Sequence, residues 1–262
     1  MDAGLVQYQQ VFAELMSIIR PTIVAAILFG VWAALGRALP SSRRRPGMWL
    51  AVAIPLVAWF AGIWIAAAQG AFQIRTQAGL PLIPLAVILP VALGLLLLTR
   101  SRGITAAVDA APPSWLIGVQ VYRLIGANFV VLWLFGALPG VFAVPAGFGD
   151  ALVGLLALPV AWYVASGRPG GTTAAVAWNL FGIADLVNAL TLGFLSAPSP
   201  LQLLAFDHPN RLVGTYPTVM TPAFAVPLSL ILHGLSLWQL RRRATAGRAI
   251  EARTNASLVP AG

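Results

Sequence analysis

Three ionisable residues stand inside long apolar stretches: Arg123 in GVQVYRLIGANFV, Asp185 in FGIADLVNAL and His233 in LSLILHGLSL. On insertion scales a charged residue at mid-bilayer costs about 2.5–3.5 kcal/mol, so such residues pair with one another and mark relays or binding sites. At helical spacing Arg123 shares a face with Gly126, Ala127, Val130 and Ala137, and Asp185 with Gly182, Asn188, Ala189 and Leu192. Small residues let helices approach closely. Arg123 and Asp185 are expected to pair, because their depths differ by about 4 Å, well within the reach of an arginine. Such a pair serves either as a structural bridge or as a proton or substrate relay. His233, Asn179 and Asn188 complete the expected buried polar site, and Asn128 reads as a further interhelical hydrogen-bonding group.

A second polar group falls in connecting segments. It comprises Asp150 in VPAGFGD, then Asp207, His208, Asn210 and Arg211 in AFDHPNRLVGTY, with Tyr216 before the last apolar block. The Pro and Gly in both segments predict loops on one side of a bundle, with 144–150 and 206–216 forming a common outer mouth. Asp and His together can bind a divalent cation or titrate near neutral pH, but their spacing matches no metal motif, and no metal site is predicted. The letters GFGD at 147–150 resemble the Gly-x-Gly-Asp sequence of intramembrane aspartyl proteases. That chemistry needs two facing carboxyls sharing one proton. In that family the partner comes from an earlier helix, whereas Asp185 comes later. Ser236 follows His233 by three residues without a Gly-x-Ser-x-Gly elbow.

The elements that must position these residues are seven apolar blocks, predicted as membrane spans at 18–39, 48–68, 80–98, 115–144, 148–165, 174–195 and 217–240. A hydrocarbon core of about 30 Å needs roughly 20 apolar residues as helix, and in lipid every backbone polar group must be satisfied within the segment. The fold class predicted is all-α: a polytopic bundle of seven transmembrane helices. Composition agrees, with 59% hydrophobic and only 9% charged residues and a mean hydropathy of +0.86, against roughly 25% charged in soluble domains. The fourth block is too long for one span, and Leu138-Pro139-Gly140 is expected to end it, leaving 141–148 as a loop or re-entrant turn. Two blocks are proline-rich, with Pro81, Pro84 and Pro90 in the third and Pro217, Pro222 and Pro227 in the seventh. These are either ordinary kinks or the broken helices that line a transport site.

All sixteen basic residues are arginine. Without lysine the chain cannot hold retinal or pyridoxal phosphate as a Schiff base, and without cysteine it has no disulfide, thiolate metal site or iron–sulfur cluster. Two histidines at opposite depths do not suit a haem. No cofactor is predicted. Arginine placement sets orientation, since cytoplasmic flanks retain positive charge. One set of ends carries Arg37, Arg43–Arg45, Arg100, Arg102, Arg168, Arg241–Arg243, Arg248 and Arg253; the other carries Arg20, Arg75 and Arg211. The amino terminus is therefore expected outside and the carboxyl terminus in the cytoplasm of a bacterial inner membrane. MDAGLVQYQQVFAEL does not read as a cleaved signal.

The organisation expected is an extracytoplasmic segment at 1–17, a membrane domain at 18–240 and a basic, disordered cytoplasmic tail at 241–262. The net charge of +9 is a topology signal and not a nucleic-acid footprint. The partners expected are the lipid bilayer and a small solute or proton, with a homo-oligomer compatible. The leading functional expectation is a small-solute or proton-linked permease, ahead of a membrane-embedded sensor or assembly protein and an intramembrane enzyme.

Overall fold

The computed structural model describes residues 3–73 and 82–257, with side chains to residue 249. The helices are α1 (Ala3–Ala38), α2 (Arg45–Ala68), α3 (Ile83–Arg100), α4 (Arg102–Ala110), α5 (Pro113–Gly118), α6 (Asn128–Leu134), α7 (Gly140–Ala165), α8 (Gly171–Ser196) and α9 (Val226–Ser257). A 3₁₀ segment, Val119–Ala127, joins α5 to α6, and a π-helical turn, Thr221–Ala225, leads into α9. No strand occurs among the described residues. Among the described residues, seven stretches are long and apolar enough to cross a membrane, with Pro113–Leu134 and Thr221–Ala249 each counted as one. The outer surface agrees: Ile18, Phe29, Ile88, Leu97, Leu134 and Phe148 are all at least 60% exposed. That much apolar surface is compatible with a multi-pass membrane protein and out of keeping with a monomer in water.

Several boundaries differ from the sequence expectation. α1 starts at Ala3 and not near residue 18, and Tyr8 in its added turns donates a 2.7 Å hydrogen bond to Asn128 Oδ1. Leu80, Pro81 and Arg75 lie outside the described residues; α3 begins at Ile83 with Pro84 in its first turn, where a missing N–H costs nothing. The break in the fourth block falls where Pro139 predicts, with Gly136 at φ 64° and Pro139 capping α7. Residues 141–148, however, are helix and not loop. Pro145 lies inside α7 and does not stop it, because a proline in a packed apolar helix forfeits only local hydrogen bonding. At the other end, α9 continues past residue 240 to Ser257, where disordered chain was expected.

α7 sits at the centre, against the rod Pro113–Leu134 on one side and α8 on the other, while α9 packs on α3, α5 and α8, and α1 on α2 and α4. The rod and α7 come unusually close: a Cβ on Gly154 would lie 2.6 Å from the backbone nitrogen of Leu124. The 3₁₀ winding explains which residues face α7. At three residues per turn, side chains three apart eclipse, so one straight row through the segment is buried: Ile117, Gln120, Arg123, Gly126, Phe129 and Leu132. α4 is fastened to α9 at its carboxyl end. Gln239 Nε2 donates to the carbonyls of Val108 and Ala111, Arg243 Nη2 to those of Asp109 and Ala111, and Arg242 pairs with Asp109 at 2.6 Å. These donors meet carbonyls that a helix end leaves unpaired.

Candidate functional site

Arg123 is 3% exposed and spends every guanidinium nitrogen on protein. Its Nε donates to Asp150 Oδ1 at 2.7 Å, and Nη2 lies 2.6 Å from the same oxygen. Nη2 donates to Asp185 Oδ2 at 2.5 Å, and Nη1 to the Gly182 carbonyl at 3.2 Å. Nη1 also lies 3.2 Å from His233 Nε2. An arginine only donates, so Nε2 accepts and the His233 proton sits on Nδ1. That nitrogen donates to Asn179 Oδ1 at 2.9 Å, while Asn179 Nδ2 donates to Ser236 Oγ and to the Ala175 carbonyl. The Trp178 ring covers the imidazole, 5.0 Å away between centroids. Four helical elements thus converge on one guanidinium: the 3₁₀ segment, α7, α8 and α9.

Glycine makes the room. A Cβ on Gly126 would run into the Asp150 carboxyl, one on Gly149 into the Asp185 carboxyl, and one on Gly182 into the His233 ring. Apolar layers flank the cluster along the bundle. Phe129, Leu132, Phe142 and Ala146 lie toward the start of α7, and Ile117, Val153, Ala157 and Trp178 toward its end. In such surroundings a charge holds its place only when paired and hydrogen-bonded. The count of charges matters. Two carboxyls face one guanidinium, and Asp150 Oδ2 and Asp185 Oδ1 accept no hydrogen bond from the described residues.

The cluster borders a large cavity of about 570 Å³. Its wall is mainly apolar, with Val87, Phe129, Phe142 and Val226 among the lining residues. Asp150 belongs to the same wall, and so do Asn210, Arg211 and Thr215 from the segment after α8. A volume of this size is typical of small-molecule sites, which are mostly apolar with a few convergent polar groups.

The structure therefore brings together Arg123, Asp185, His233 and Asn179. Asn188 does not join them: it is exposed on α8, and its side chain makes no hydrogen bond among the described residues. Asp150 is not part of an outer loop. It is 6% exposed in α7 and is the second carboxyl on Arg123. Asp207 and His208 are exposed, Tyr216 is half-buried, and Arg211 is exposed at the cavity wall. The expected mouth is thus reshaped: segment 206–216 meets a chamber walled by α7 side chains, not a second loop. No group of three or more His, Asp or Glu suited to a metal occurs among the described residues.

The depth of Asp150 escapes sequence reasoning because Pro139 and Pro145 carry the local signal of a loop. Starting the helix directly after Pro139 puts Asp150 about ten residues, or roughly 15 Å, into it. Sequence reasoning also misses the burial of Arg20, which donates from Nη2 to the Pro217 carbonyl at 2.9 Å.

Fold and site together define an all-helical protein, with seven helices fit to cross a membrane, built around a buried Arg/Asp/His network. Residues 80–241 match the family described as a domain of unknown function, DUF8737, and the chain belongs to that family. The matched segment contains Arg123, Asp150, Asn179, Asp185 and His233. No curated protein and no solved structure matches the chain.

Proposed function

We propose that this protein is a proton-linked permease for a small solute, with Arg123, Asp150, Asp185 and His233 as its proton-handling site. The observation that carries this reading is the position of Asp150, which lines the 570 Å³ cavity and pairs with Arg123. A solute in the chamber would meet a carboxylate whose charge is tied to the buried network. Asp150 and Asp185 share Arg123, so one proton gained or lost at either carboxyl alters the charge of the whole cluster. The π-turn Thr221–Ala225 and the 3₁₀ segment support the reading, since both irregular windings are common at functional sites and both border the cluster.

We place the chain in a bacterial inner membrane with its amino terminus outside and its carboxyl terminus in the cytoplasm. The Arg-rich ends support this, and so do the Arg–Trp contacts at those ends, Arg37 on Trp115, Arg45 on Trp32, Arg168 on Trp162 and Arg242 on Trp238. A reporter fused after Arg243 should behave as cytoplasmic and one within residues 206–216 as periplasmic. The reverse pattern overturns the orientation.

Transport is tested in proteoliposomes loaded with a pH-sensitive dye and challenged with panels of small organic cations, anions and neutral solutes. At least one class should drive proton movement through the wild-type protein, and Asp150→Asn should abolish it in folded protein. Silence across all three panels ends the permease reading.

A further inference from the structure

Arg20 is 6% exposed and sits on α1, outside the segment matched by the family. Its Nη2 holds the Pro217 carbonyl, but Nη1 is buried without a partner among the described residues. A buried guanidinium with an idle donor is costly unless something polar meets it. No direct ion pair joins it to either aspartate.

A second, smaller cavity lies between α1, the 3₁₀ segment, α7 and the π-turn. Arg20, Tyr122, Arg123, Asp150, Thr221 and Ser229 line it together with apolar side chains. It offers about 30 Å³ to the centres of water molecules. One water needs roughly 10–15 Å³ by that measure, together with two to four polar partners. The volume suffices, and the wall carries the polar side chains of Arg20, Tyr122, Asp150, Thr221 and Ser229. The Tyr122 and Ser229 hydroxyls are already bonded to each other at 2.7 Å, and Asp150 Oδ2 is uncommitted.

We infer that Arg20 is the fourth charge of the buried cluster, joined to Asp150 by one or two internal waters held in this cavity. The charge count closes with it: two guanidiniums, Arg20 and Arg123, stand against two carboxylates, Asp150 and Asp185. Water-mediated bonds are nearly as good enthalpically as direct ones, so the wet link lets α1 take part in a network it does not touch. The inference is independent of the permease reading, because it concerns what neutralises the cluster and not what the cluster moves.

Two measurements decide it. X-ray radiolytic footprinting of the wild-type protein generates hydroxyl radicals from whatever water is present. Met220, 1% exposed and lining this cavity, should be oxidised several-fold faster than Met16, 4% exposed and outside it. Equal rates mean a dry cavity and overturn the inference. The second measurement is a thermal-stability cycle. Arg20→Gln keeps a donor for the Pro217 carbonyl but removes the charge, so it should lower the unfolding midpoint by ~5 °C or more. Adding Asp150→Asn should restore at least half of that loss. Additive losses, or an Arg20→Gln protein as stable as wild type, reduce Arg20 to a clasp on Pro217 and equally overturn the proposal.

Discussion

Two Arg–Asp contacts in this molecule have nearly the same geometry and opposite surroundings. Arg123 meets Asp185 at 2.5 Å with both side chains under 10% exposed, whereas Arg242 meets Asp109 at 2.6 Å with side chains 44% and 35% exposed. Distance alone would rank them equal. Burial separates them: an exposed pair is worth at most about 1 kcal/mol and is screened by salt, while removing one partner of a buried pair costs about 3–5 kcal/mol because the other charge is left uncompensated. The inner contact is held by what its failure would leave behind, and the outer one by the modest attraction itself.

Breaking the inner pair should give the largest effect. Arg123→Gln leaves two carboxylates facing apolar layers, and folded yield and unfolding midpoint should both fall by the equivalent of about 3–5 kcal/mol. Adding Asp185→Asn should recover part of the loss: Asp150 keeps Arg20 through water but lacks its direct bonds to Arg123. The triple variant with Asp150→Asn should recover no more than the double, because it leaves Arg20 without a carboxylate. Full rescue by the double variant would show that Asp150 is not a partner of Arg123.

Crowding the cluster comes next. Gly149→Ala drives a methyl into the Asp185 carboxyl and should cost about 1–3 kcal/mol. Gly62→Ala on α2 meets nothing within 4 Å and should be neutral or slightly stabilising. Equal midpoints for the two would contradict the close packing of α7 on α8.

At the end of α9 that holds α4, Gln239→Leu removes donors from the Val108 and Ala111 carbonyls and should cost about 1–3 kcal/mol. Faster hydrogen exchange confined to residues 102–111 would locate the loss. Smallest of all should be Arg242→Ala, at no more than about 1 kcal/mol and vanishing in high salt. A salt-independent loss there as large as that of Arg123→Gln would erase the contrast between the two contacts.

The helical architecture was legible in the sequence because hydrocarbon admits so few backbone solutions, and the apolar blocks recur near one bilayer's thickness. The meeting of Arg123 with Asp185 was legible too, since an unpaired charge in a span demands a partner and small residues flank both. Asp150 was not. Local turn chemistry at Pro139 and Pro145 competed with the apolar run around them, and only tertiary packing shows that Pro139 starts a helix which Pro145 does not stop. Asn188 misleads for the opposite reason: three residues from Asp185 it falls near the same face by spacing, yet its own side of α8 is turned outward. Arg20 stands near the start of the apolar block and so reads as an end residue, whereas α1 begins at Ala3, and no periodicity in the sequence announces the 3₁₀ winding.

That winding also sets a length. Nine residues at about 2.0 Å per residue extend roughly 18 Å, against about 13.5 Å for the same residues as α-helix. They also accumulate about 180° more rotation, since each 3₁₀ residue turns about 120° and each α residue about 100°. Rewinding Val119–Ala127 would therefore shorten the rod by about 4–5 Å and swing α6 half a turn relative to α5, unscrewing the Arg123 row from its carboxylates without breaking a covalent bond. Spin labels at Trp115 and Leu134 would read such a stroke as a single change in distance.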